Sequence, residues 1–331
     1  MQVYAGIDEA GYGPMFGPLV VGRSAFRLSN TTANTQVPDL WQRLSKAVCR
    51  NLKETRRGRI AVNDSKKLHS SGRGVRHLEI GTLAFAGAHG LRPSTVDQWL
   101  DGLGERSHHD LSDLPWYQVT SDRPWATLPS AVTDGEIAVA RGMLGAAAKA
   151  AGVEVVDVGA AVVFENRFNK MVTATRSKAA TNFTFVSGHL EKLWRRFGTE
   201  GLTVAVDRQS GRTHYRELLS MSFPDAALTV LAENPARSGY HLETQGPPRK
   251  TMTVWFEVDA ETHHLPVALA SMISKYTREL MMARFQSWFA DRAPSVRPTA
   301  GYALDAKRFW RQIQPTLTEL AIRPHQLRRI S

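Results

Sequence analysis

Apolar and polar positions recur with two periods along the chain and divide it into strands and helices. Val3, Ala5 and Ile7 alternate with smaller or more polar neighbours, which predicts a strand entering a sheet. Residues 19–26 predict the next strand, and Gly11, Gly13, Pro14, Gly17 and Pro18 punctuate the turn between them. Asp8 and Glu9 sit where the first strand ends. Successive strand residues point to opposite faces, so these two carboxylates share a site only if the backbone bends or one of them reaches around the strand end. Further strands are predicted over residues 153–164, 202–207 and 251–258, with a strand, a loop and another strand over 222–250. Residues 202–207 form an apolar run that ends in a carboxylate, Asp207.

Helical spacing appears between these strands. Asp39 is positioned as an N-cap for a helix carrying Leu40, Trp41, Leu44, Val48 and Leu52, with Cys49 buried on it. Residues 96–103 and 136–151 also have helical spacing, as do residues 179–197, with Leu190, Leu193, Trp194 and Phe197. In residues 268–281, Met272, Ile273, Tyr276 and Leu280 supply an apolar face, and Ser271, Lys275 and Glu279 form a polar stripe. Strands alternating with helices predict an α/β domain. Residues 77–152 fit that alternation poorly and are expected to be an insertion or subdomain with a small core of its own. Trp116, Tyr117 and Trp125 would pack there, or stack on bases. His108, His109 and Asp110 lack further spaced ligands and are expected to be surface loop, not a metal site.

Composition narrows the class. The chain has 331 residues, 42% of them hydrophobic, and a net charge of +11. That is a folded protein with a basic balance suited to a polyanionic partner such as nucleic acid. Its single cysteine excludes an internal disulfide and fits a reducing compartment. No apolar run approaches the length of a membrane span, and the N-terminus lacks a signal-peptide pattern. A cytoplasmic monomer with no membrane association is therefore expected.

The motifs carry a resemblance. Residues 6–14, Gly-Ile-Asp-Glu-Ala-Gly-Tyr-Gly-Pro, continue to Phe16-Gly17-Pro18, and no helix follows that could receive a pyrophosphate. Residues 64–68 read Asp-Ser-Lys-Lys-Leu. Ser65 and Lys66 are adjacent, which argues against a Ser-Lys hydrolase dyad, and no acyl-binding motif accompanies them. With Asp207, the 268–281 helix and a Gly301-Tyr302 segment, this ordered set resembles the type 2 ribonucleases H, the HII and HIII group. The resemblance covers residues 1–76 and 153–325.

That resemblance implies a ribonuclease H-like fold, a central mixed sheet flanked by helices, with 1–76 and 153–331 as the catalytic domain and 77–152 inserted. It implies a divalent-metal-dependent endonuclease acting on an RNA/DNA hybrid or a ribonucleotide-containing DNA duplex, and leaving 5′-phosphate and 3′-hydroxyl ends. Asp8, Glu9, Asp207 and Glu279 would be the catalytic carboxylates and would hold Mg²⁺ or Mn²⁺. Gly11, Tyr12 and Gly13 would read the ribose. Ser65, Lys66, Lys67, Ser271 and Lys275 would face phosphate, and Tyr302 would pack on a sugar. Three positions depart from the common pattern: Tyr12 where the HII loop usually has Arg, Arg208 where Gly is usual, and Glu279 where HII has Asp. A catalytically weak or silent nucleic-acid-binding relative is the rival reading. A DNA nuclease or resolvase is disfavoured by the match of the glycine loop. The basic tail, His325, Arg328 and Arg329, is expected to touch phosphates or to be solvated.

Overall fold

The computed structural model describes residues 1–29, 37–69, 74–104, 111, 113–118, 126–209 and 211–330. His108, His109, Asp110 and Trp125 lie outside the described residues. The first two predicted strands are β1 (Gln2–Ala10) and β2 (Leu19–Leu28), paired antiparallel along their whole length up to Ala10 opposite Val20. β1 therefore does not bend at Asp8 and Glu9.

The segment expected to be one helix after Asp39 is broken. Asp39 caps α1 (Leu40–Arg43) by accepting from the backbone N–H groups of Trp41 and Gln42, but the helix stops there. Val48 and Cys49 instead form β3 (Val48–Cys49), parallel to β4 (Ile60–Ala61). Cys49 is buried, on a strand. Asp64 then caps the short helix α2 (Ser65–Leu68).

Helices α3 (Arg76–Ala88), α4 (Val96–Gly102) and α5 (Asp134–Ala151) follow. They do not stand apart with a core of their own. Leu78, Phe85, Trp99, Trp116, Tyr117 and Leu144 belong to the same buried cluster as Tyr4 and Phe26 of the sheet. Trp116 and Tyr117 are 1% and 0% exposed, so neither is placed to stack on a base. Glu79 on α3 ties this layer together. Its buried carboxylate accepts from the Ser130 and Ala131 N–H groups and from the Tyr276 hydroxyl.

The remaining elements complete the sheet and its second face. They are β5 (Val153–Val163), α6 (Glu165–Thr175), α7 (Lys178–Phe197), β6 (Leu202–Asp207), α8 (Arg216–Ser222), β7 (Ala226–Glu233), β8 (Arg237–Thr244) and β9 (Thr251–Glu257). The chain ends in α9 (Leu265–Arg292), α10 (Ala303–Glu319) and α11 (Pro324–Leu327). The seven strands run β5-β2-β1-β6-β9-β8-β7, with β1, β6 and β9 parallel. This is the expected central mixed sheet with helices on both faces. One face carries Tyr4, Ala205 and the apolar side of α9; the other carries Val3, Ile7, Val206 and the apolar side of α7.

Helix α9 lies unusually close to β1. A Cβ built on Gly6 would stand 2.2 Å from both the Pro266 carbonyl carbon and the Val267 nitrogen. Only a residue without a side chain lets the helix approach so near, and the obstacle is backbone, which cannot rotate away. Gly6→Ala is therefore expected to destabilise the protein by about 1–3 kcal/mol or more, read as a lower thermal midpoint. An unchanged midpoint would show that α9 can shift without cost.

Candidate metal centre at the strand ends

The alternation of β1 places Asp8 on the α9 face and Glu9 on the α7 face. Asp8 follows Ile7, which pairs with Val206 of the parallel strand β6, so Asp207 emerges beside Asp8. Glu9 lies on the opposite face, beside Asn182 of α7. The two neighbouring acids thus straddle the strand end, and Glu9 still feels the charge of Asp207. The position is fixed from below: Ser274 donates to the Asp8 carbonyl at 3.0 Å, and the Glu9 N–H donates to Asp8 Oδ1 at 2.7 Å.

A further carboxylate joins them, and it is not Glu279. The Ala260 N–H donates to Asp207 Oδ1 at 3.1 Å, which anchors the turn Ala260–Thr262 to the end of β6. Glu261 on that turn is 8% exposed, and its charge acts on Asp8, Glu9 and Asp207. Glu279 is occupied elsewhere: Lys275 Nζ donates to its Oε1 at 2.5 Å, and His69 Nε2 lies 3.8 Å from its Oε2. Ser271 is the α9 residue that meets Asp8, and Glu279 lies eight residues beyond it, about 12 Å along the helix axis. The expected placement of Glu279 with the other three is corrected accordingly.

The electrostatics follow from burial and like charge. Burial, then Glu9, pushes Asp8 well above the usual carboxylate range, although the Ser271 hydroxyl opposes this. Burial, then Asp207, lifts Glu9 to about 7; Asn182 and Lys66 pull the other way. Burial, then Asp8 and Glu261, lifts Asp207 to about 8. Buried anions that repel one another hold protons unless a cation replaces them.

The donor set suits a hard divalent cation. It is all oxygen, and Glu261 Oε2 is buried with no hydrogen-bond partner. Among the described residues no three acidic, histidine or cysteine side chains are already close enough to hold a metal ion. The chemistry of the donors fits, while their ligating distances are not preformed.

The other expected site residues divide into those that gather here and those that do not. Ser271 Oγ donates to Ser65 Oγ at 3.0 Å, so the Asp64–Lys66 turn docks on α9 beside Asp8. Lys66 is exposed at the rim. Burial lowers its pKa, but Asp64, Asp8, Glu261 and Asp207 outweigh this and hold it above the ordinary value. Lys67 is exposed next to it. Lys275 is committed to Glu279. Tyr12 does not project freely; its ring packs against the α7-side core. Gly11 has a φ of +85°, and a Cβ there would meet the Pro18 oxygen at 2.6 Å, which explains the glycine. Gly13 at the loop apex is exposed and faces open space. Tyr302 is 44% exposed beside this loop, its ring centroid 5.7 Å from the Arg278 guanidinium.

No family model matches this chain, and no curated protein does. It is similar to solved type 2 ribonucleases H. These include RNase HII in its complex with PCNA from Archaeoglobus fulgidus, at 16% identity and a TM-score of 0.41, covering 98% of this chain and 93% of that one. Ribonuclease H2 from Pyrococcus horikoshii OT3 is 14% identical with a TM-score of 0.40, covering 98% and 92%. Aquifex aeolicus RNase H3 is 15% identical with a TM-score of 0.37, covering 98% and 70%.

Proposed function

We propose that this chain is a divalent-metal-dependent endonuclease that cleaves the RNA strand, or embedded ribonucleotides, of RNA/DNA duplexes to 5′-phosphate and 3′-hydroxyl ends. One observation carries the reading: Asp8 and Asp207 leave adjacent parallel strands side by side, Glu261 follows on the turn anchored to Asp207, and Glu9 stands around the strand end, with burial and then mutual repulsion raising the pKa of Asp8, Glu9 and Asp207. A protein that only binds phosphate gains nothing from gathering negative charge. In this reading the four carboxylates hold Mg²⁺ or Mn²⁺, which would supply an activated water and charge neutralisation at the leaving oxygen. Lys66, whose pKa the nearby carboxylates raise above the ordinary lysine value, meets a backbone phosphate, with Lys67 beside it. The loop apex at Tyr12 and Gly13 faces the 2′-hydroxyl, the group that separates RNA from DNA. Tyr302 offers its exposed ring to a sugar.

The deciding assay compares an RNA/DNA hybrid, a DNA duplex with one ribonucleotide and an all-DNA duplex, each with Mg²⁺ and with Mn²⁺. Cleavage confined to the first two supports the reading. Binding without cleavage under every condition supports the silent nucleic-acid binder instead. Cleavage of all three equally points to a general nuclease. Affinity for the hybrid is also expected to fall steeply with salt, with Lys66→Ala and Lys67→Ala each reducing the slope by about one. A salt-independent affinity would remove the argument from the basic charge.

A further inference from the structure

Arg329 lies on the basic tail expected to touch phosphate or solvent, yet it is turned inward and only 2% exposed. Its segment is fastened from both sides. Asn169 Nδ2 donates to the carbonyls of His325 and Arg328, both at 2.8 Å, and the Ile330 N–H donates back to Asn169 Oδ1 at 2.8 Å. The Arg329 N–H donates to the Met15 carbonyl at 2.9 Å. From there its guanidinium stands 4.7 Å from the Phe168 ring centroid, and Nη2 donates to two carbonyls of the glycine loop, Gly11 and Pro14, both at 2.5 Å. A second buried arginine holds the other arm of the loop: Arg278 donates to the carbonyls of Pro18 and Phe16 at 2.7 and 2.9 Å.

These contacts set the orientation of the loop's amides. In a trans peptide the N–H points opposite to the carbonyl before it. The N–H groups of Met15 and Gly17 are taken within the protein, by the Gly301 carbonyl and by Glu165 Oε1, both at 2.8 Å. The Gly11 carbonyl is drawn inward by Arg329, so the Tyr12 N–H of the same peptide points the opposite way, next to the exposed Gly13. A cation on the carbonyl side also polarises that peptide and strengthens its N–H as a donor.

We propose that Arg329 is a positioning residue for ribonucleotide recognition. By holding the Gly11 and Pro14 carbonyls inward, it presents the Tyr12 N–H to the 2′-hydroxyl of the substrate. The inference rests on the function proposed above, and it acts through the loop, not by contact with the substrate.

The test measures binding of two matched duplexes, one all DNA and one with a single ribonucleotide, in EDTA so that neither is cut. Wild type is expected to prefer the ribonucleotide duplex. Arg329→Met should lower that preference by up to about tenfold, the size of one lost hydrogen bond between neutral groups, with all-DNA affinity nearly unchanged. Arg329→Lys keeps the charge and should restore part of it. Asn169→Ser leaves Arg329 in place but loosens its segment, and should lower the preference as well. A purely structural role predicts a different pattern, in which the thermal midpoint and both affinities fall together. An unchanged preference in folded Arg329→Met overturns the proposal. Should that variant not fold, an unchanged preference in both Arg329→Lys and Asn169→Ser overturns it equally. If wild type itself shows no preference, the ribonucleotide reading fails before any substitution is made, and this inference falls with it.

Discussion

Asp8→Asn and Asp207→Asn should each lower cleavage of an RNA/DNA hybrid by at least about a thousandfold, equivalent to about 4 kcal/mol of barrier. Each replaces an anionic oxygen by an amide of nearly the same size, so the fold should be retained and circular dichroism unchanged. The pair Glu261→Gln and Glu279→Gln separates the arrangement in the structure from the ligand set that the resemblance implies. Glu261 acts on the charge of all three other acids and has an unpartnered oxygen, so its substitution should cost as much as the loss of Asp207. Glu279 pairs with Lys275 and lies near His69, so its substitution should change turnover by less than about tenfold. Full activity in folded Asp207→Asn would end the assignment of this site. Loss of activity in Glu279→Gln alone would return that residue to the metal centre.

The metal-free protein should lose stability as pH rises. Asp8, Glu9 and Asp207 bind protons more tightly in the folded chain than in the unfolded one, where carboxylates titrate near about 4. Above that pH the unfolded chain has released these protons and the folded chain still holds them. Their stabilising contribution is therefore complete in acid and is lost as pH rises through about 7 for Glu9 and about 8 for Asp207. On linkage grounds the loss between pH 6 and 9 is on the order of a few kcal/mol. Thermal unfolding in a chelator at a series of pH values measures it. Asp8→Asn should flatten the profile, and Mg²⁺ or Mn²⁺ should raise the midpoint most at the alkaline end, because the cation binds the folded cluster and not the open chain. A midpoint that does not move between pH 6 and 9, with no response to either cation, would mean that the charges are not concentrated as described.

Much of this was legible in the chain because local signals and tertiary packing agree. Alternation and glycine punctuation place β1 and β2 to within about two residues at each end, whereas it is the resemblance, not the strand pattern, that singles out Asp8 and Asp207 among the acids. Where the two levels disagree, the reading failed. Leu40, Trp41, Leu44, Val48 and Leu52 have helical spacing, but Val48 and Cys49 are claimed by pairing with β4, a contact no local pattern records. Ser271, Lys275 and Glu279 do share a helix face, but the role given to Glu279 comes from the resembling helix motif, and a shared motif does not fix how far along the helix the other acids lie. Glu261 sits on a short turn with no periodic neighbours. The signal that could have found it is topological. β9 is parallel to β6 and ends at the same edge, so an acid at the end of β9 or soon after it falls near Asp207; Glu257, Asp259 and Glu261 all qualify, and sequence alone does not choose. Arg329 belongs to a basic tail that looks solvated in sequence because its acceptors, the loop carbonyls, come together only in the fold.

The hydrogen bond from Arg329 to Gly11 joins residues 318 positions apart. β1 itself is central in the sheet, and its parallel partner β6 does not begin until Leu202. A growing polypeptide can therefore pair β1 with β2 early, but it cannot lock the loop between them until residue 329 has left the ribosome. Contacts this distant in sequence are closed late and slowly. Translation products interrupted before residue 329 should accordingly carry the Asp8–Glu9 motif without a set glycine loop.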